Sequence, residues 1–157
     1  MLIGAIVVST FAVIWIAAGT HNLGRRWFSW ILSISILISL GIIVAAVKIA
    51  PAHPATFNGK AYSLSVASEA VLIVLAVLVL RRDDRKRFLL PTISMVVGLH
   101  FFGLVWALGS NEYWFVGSAM CLLSLLTISI LPRNLWDLVV GLGCAAILWF
   151  SVICAFF

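Results

Sequence analysis

Two residues stand where ionisable groups are rare: Glu69 and His100, each deep in an apolar run. Between the runs lies a short charged link, Arg81-Arg82-Asp83-Asp84-Arg85-Lys86-Arg87. Glu69 lies eleven residues before Leu80, and His100 eleven after Leu89. In an antiparallel pair of helices both would sit about 16 Å from the link, at a rise of about 1.5 Å per residue. That is about half of a hydrocarbon core roughly 30 Å thick. An acid and an imidazole are therefore expected at matching depth. A carboxylate in lipid is expensive unless it is protonated, paired or facing water. Beside an imidazole it can share one proton, which is the chemistry of a proton relay, a cation site or a substrate anchor. The alternative is a structural polar clasp joining two helices.

On a helix, the face of Glu69 includes Tyr62, Ser65, Val66, Leu72, Ile73 and Ala76. It is polar toward Tyr62 and wholly apolar toward the charged link. This asymmetry predicts a cavity open on one side of the membrane and closed on the other. The ligand or proton site is expected at Glu69 and His100, lined by Tyr62 and Ser65. Secondary candidates are His53, between Pro51 and Pro54 in the longest link, and Ser35 and Ser39, which share a face of the second helix. Each has a plainer reading: a solvated loop histidine, and serines bonded to their own helix backbone.

Catalytic motifs are absent. There is no HExxH, GxSxG, Walker loop or CxxC, and Gly141-Leu142-Gly143 lacks the third glycine and the preceding strand of a dinucleotide loop. Cys121, Cys144 and Cys154 lie in apolar runs without metal-ligand spacing and read as packing residues. No catalytic residue, metal or cofactor is expected. A lone intramembrane histidine also disfavours a haem held by two histidines.

The elements that must position Glu69 and His100 follow from composition. The chain of 157 residues is 64% hydrophobic and 10% charged, against about 45–50% and 25% in a soluble domain. It reads as a single all-α domain over residues 1–157, an integral membrane bundle. Backbone groups in lipid must bond internally, and the runs lack the alternation of a membrane barrel. Six transmembrane helices are expected, at about Leu2–Thr20, Trp27–Val47, Tyr62–Leu80, Phe88–Leu108, Tyr113–Leu131 and from Leu135 to the end. Links one, three and five hold Arg25, Arg26, Arg81, Arg82, Arg85, Lys86, Arg87 and Arg133; the other two hold only Lys48 and Lys60. Positive residues favour the cytoplasmic side, so both termini are expected to be non-cytoplasmic. The formal charge of +5 is then a topology signal, not a nucleic-acid signature. Arg81, Arg82, Arg85, Lys86 and Arg87 would meet anionic lipid headgroups. Small-residue stripes at Gly103 and Ala107, at Gly117, Cys121 and Ser124, and at Gly141 and Ala145 allow close helix contacts. Trp27, Tyr62, Tyr113, Trp114 and Trp136 at span ends fit an interfacial aromatic belt.

The run Val97-Gly98-Leu99-His100-Phe101-Phe102-Gly103-Leu104, followed by Tyr113-Trp114-Phe115-Val116-Gly117-Ser118-Ala119, resembles a pattern in small uncharacterised bacterial multi-helix membrane proteins. Their Gly-x-His-Phe segment precedes an aromatic-rich start to the next helix. The resemblance covers about 35 residues of helices four and five; Gly103 stands where the pattern favours proline. It implies the multi-pass topology, a bacterial inner membrane and a role for His100, and it carries no activity. Three functional readings follow. The first is transport or binding of a small ligand, proton or cation. The second is a non-catalytic accessory subunit docking on a larger membrane partner or on a second copy. The third is a membrane-embedded enzyme acting on a lipid or quinone.

Overall fold

The computed structural model describes residues 2–49, 57–82 and 85–156. Among these it contains six α-helices and no strand: α1 (Leu2–Thr20), α2 (Arg25–Ile49), α3 (Gly59–Leu80), α4 (Leu89–Leu108), α5 (Glu112–Ile130) and α6 (Trp136–Phe156). Single 3-10 turns, Lys86–Phe88 and Arg133–Leu135, precede α4 and α6. Five helices, α2 to α6, are long and apolar enough to cross a membrane; α1 carries a shorter apolar stretch, Gly4–Thr20.

The start of α3 differs from the sequence reading and the end of α4 agrees with it, each for a local reason. Asn58-Gly59 reads as a turn, yet Asn58 is the N-cap of α3. Its side chain accepts from the Ala61 N–H at 3.2 Å, satisfying one of the donors that a helix start leaves unpaired. The helix therefore begins three residues before Tyr62. Pro91 sits within the first turn of α4, where a missing N–H costs nothing. α4 stops at Gly109, which takes the left-handed conformation (φ 66°) and donates its N–H to Val105 O.

The chain divides into two compact units, Met1–Pro54 with Asp137–Phe157, and Ala55–Trp136. The first is built from α1, α2 and α6. Ala5, Ala46 and Val152, one from each helix, form its buried cluster, flanked by Val8 and Ile42. Gly19 and Gly141 let α1 and α6 touch backbone to backbone: a Cβ on Gly141 would lie 2.6 Å from Trp15 O. Ser39 joins all three helices, donating to Ser9 O at 3.1 Å and accepting from Trp149 Nε1 at 3.0 Å. Asp137, in the first turn of α6, accepts from Asn22 at 3.3 Å.

The second unit holds α3, α4 and α5. Its middle helix is α4, which buries Pro91, Ser94, Val97, Gly98, Phe101, Leu104 and Ala107. Gly98 and Gly117 meet where α4 crosses α5; a Cβ on Gly117 would lie 2.7 Å from Gly98 O. Phe101 stacks on Tyr113, and Phe102 packs on Trp114. In contrast, α3 buries only Ser65. Trp136 departs from the aromatic-belt expectation. It is 3% exposed, its ring edge meets Phe88 at 5.0 Å, and its N–H reaches Leu131 O at 3.0 Å.

Candidate functional site

The site lies between α3 and α4, and the register of that pair decides its geometry. At one end, the Asn58 N–H donates to Ala107 O at 2.8 Å. Seven residues further along each helix, Ser65 stands level with His100. Its hydroxyl donates to His100 O at 3.2 Å and lies 2.9 Å from Nδ1. Nδ1 is also 3.1 Å from Ser65 O. A carbonyl can only accept, so a hydrogen bond to Ser65 O requires the tautomer with the proton on Nδ1, in which the Ser65 hydroxyl oxygen accepts a second share.

Glu69 is one turn nearer the charged link, about 6 Å further along α3 at about 1.5 Å per residue. Counting from the link had put it level with His100. The Asn58–Ala107 and Ser65–His100 contacts show the register displaced by one turn from that count. Side-chain direction closes the gap. In a helix each Cα–Cβ bond tilts toward the N-terminus. On antiparallel helices, Glu69 therefore leans toward Ser65 while His100 leans toward the link. The carboxylate Oε2 reaches within 3.5 Å of Nδ1. Both side chains are largely buried, at 10% exposure for His100 and 18% for Glu69.

Gly103 makes this possible. It is one turn beyond His100, and a Cβ there would collide with Ser65 Oγ.

The cluster forms the polar floor of a groove of about 340 Å³, with Ser68 beside it. Ser68 donates to Ser65 O at 2.8 Å. The walls are apolar: Leu64 and Leu72 from α3, and Val96, Leu99 and Trp106 from α4. Among the described residues, the polar contacts of the imidazole run through Nδ1, and Nε2 is the ring nitrogen at which a bound group would be met. An acid and an imidazole that exchange a proton beside an open groove can pass that proton on, hold a cation on the carboxylate, or anchor a polar head.

The structure brings Glu69, His100 and Ser65 together. Tyr62 is not in the groove wall; its ring packs on Phe57 at 5.6 Å. Ser35 and Ser39 belong to the other compact unit. Ser35 donates back to Leu32 O at 2.7 Å, and Ser39 joins its three helices. His53 lies outside the described residues. Ser68 and Trp106 escaped the sequence reading. Ser68 lies three residues after Ser65 and could have been found as part of the same stripe; nothing in the apolar surroundings of Trp106 marks it.

Among the described residues, no group of three or more histidine, cysteine and carboxylate side chains is arranged to hold a metal ion. Compared with known protein-family models, curated proteins and solved structures, the chain matches none of them.

Proposed function

We propose that the protein is a small multi-pass membrane protein that binds or transports a small ligand, proton or cation at Glu69 and His100. The observation that carries this is the 3.5 Å approach of the carboxylate to Nδ1 on the floor of an open groove. Ionisable groups inside membrane spans are rare and mark pathways or relays, and this pair lines an open groove and is not sealed in a core. In this reading Glu69 accepts the proton or cation, His100 is its partner, and Ser65 fixes the tautomer.

The proposed topology has six crossings and both termini on the non-cytoplasmic side of a cell membrane. Five helices meet the length requirement, and the distribution of basic residues supports the orientation. The basic link then faces the cytoplasm and anionic headgroups. The accessory-subunit reading has less support. Gly98, Gly103, Gly117 and Gly141, which would form docking stripes, are taken up by close contacts within each unit.

The test is proton uptake into liposomes loaded with a pH-sensitive dye, under a potassium diffusion potential. Wild-type protein should carry protons. Glu69→Gln and His100→Ala should fall to the level of empty vesicles while keeping native helix content. Uptake by Glu69→Gln equal to wild type would refute the role of the pair. A reporter on the C-terminus that proves cytoplasmic would overturn the topology.

A further inference from the structure

We propose that the groove receives a single-chain amphiphile from the bilayer, with an uncharged carbonyl or hydroxyl head at Glu69 and His100. Its chain lies against Leu64, Leu99 and Trp106. This rests on the ligand-site reading above and adds the chemistry of the ligand and its route of entry.

Three observations carry it. The most buried groups lining the groove are polar, namely Ser65, His100 and Glu69, and its most exposed lining residues are apolar. This apolar rim is open at the side: Leu64 is 73% exposed, Leu99 51% and Trp106 75%. These residues belong to spans, so in a membrane the opening faces acyl chains. A ligand already dissolved in the bilayer reaches the floor without crossing water.

Charge selects the head. Glu69 and His100 lie 3.5 Å apart and carry no net charge when they share one proton, and among the described residues no lysine or arginine lines the groove. A phosphate head would find no counter-charge there and would have to shed its hydration. A neutral head fits. Nε2 accepts from a hydroxyl when the ring is neutral and donates to a carbonyl when it is protonated, while the Glu69 carboxyl supplies the complementary partner. Size then sets the rest. The groove volume of about 340 Å³ is at the low end of ligand pockets, which span roughly 300–1,000 Å³. It holds a head and the first part of a chain, and the remainder of the chain stays among the lipids.

A membrane quinone and a monoacyl lipid share this chemistry. The full chain, in nanodiscs of zwitterionic lipid, is to be titrated with a decyl-substituted benzoquinone and with monodecanoylglycerol, and bound copies counted by native mass spectrometry. The same quinone head without its chain is the control. One tailed molecule per chain is expected, with either or both probes, and the tail-less head should not bind. A single adduct with the quinone alone assigns an electron carrier; one with the glyceride alone assigns a lipid product. His100→Ala should weaken binding about tenfold, the weight of one net hydrogen bond. Trp106 is largely exposed, so Trp106→Ala removes a chain contact without disturbing packing and should weaken binding several-fold. Equal binding of the tail-less head, equal binding by both variants, or no tailed adduct overturns the proposal. If proton uptake still depends on Glu69 when no tailed probe binds, this inference falls and the proton site stands. If neither is seen, both fall.

Discussion

Gly103→Ala is the smallest change that tests how the site is held. The added methyl collides with Ser65 Oγ and lies 3.0 Å from Ser65 Cβ. Ser65 is the less constrained partner, because its hydroxyl can rotate about χ1 while the α4 backbone cannot yield. Rotation breaks the 2.9 Å contact with Nδ1 and the 3.2 Å bond to His100 O. Hydrogen bonds between helices in membranes are worth about 0.6 kcal/mol on average and up to about 1.7. Two of them therefore amount to about 1–3 kcal/mol. Ser65→Ala loses the same bonds and also removes the oxygen that the methyl strikes. The two effects should not add: in the Ser65→Ala background, Gly103→Ala should cost less than about 0.5 kcal/mol. The cycle isolates a coupling of about 1–2 kcal/mol, well above the scatter of roughly 0.3–0.5 kcal/mol seen for independent sites. The assay is unfolding by sodium dodecyl sulfate in mixed micelles, followed by far-ultraviolet circular dichroism. Strictly additive effects, or a Gly103→Ala variant as stable as wild type, would show that Ser65 is not wedged against Gly103.

Other perturbations address the remaining contacts. Gly117→Ala places a methyl 2.7 Å from Gly98 O, and such overpacking costs about 1–3 kcal/mol. Its unfolding midpoint should drop, and an unchanged midpoint would mean that α4 and α5 are not in backbone contact. Ser39→Ala leaves the Trp149 N–H without its acceptor; a loss of about 1–2 kcal/mol is expected, with a shift in tryptophan emission as the readout. Asn58→Ala removes the cap of α3 at a cost of about 1 kcal/mol. Hydrogen exchange should quicken at Ala61 and its neighbours while the middle of α3 stays protected.

Much of the architecture is legible from composition alone. Five of the six helices among the described residues are apolar runs long enough to cross a bilayer, bounded by prolines, glycines or charge. Glu69 and His100 are equally visible, because an ionisable residue stands out against leucine and valine. Matching distances from the charged link place them close to one another. They do not reveal that Ser65, one turn from Glu69, is the partner level with the ring, nor that Tyr62 turns to Phe57.

Those details were decided by tertiary structure. The register of α3 and α4 is seen only in their contacts, Asn58 with Ala107 and Ser65 with His100, and a one-turn shift leaves the hydropathy of either helix unchanged. The grouping of α1 with α2 and α6, and of α4 with α3 and α5, is likewise silent in the sequence. A helix in a soluble protein announces its buried face through alternating polarity. A helix that is apolar all round can rotate or change neighbours at almost no transfer cost. Its orientation is chosen by where glycines let backbones touch and where a few hydroxyls find partners, and those matches exist only once the helices have met.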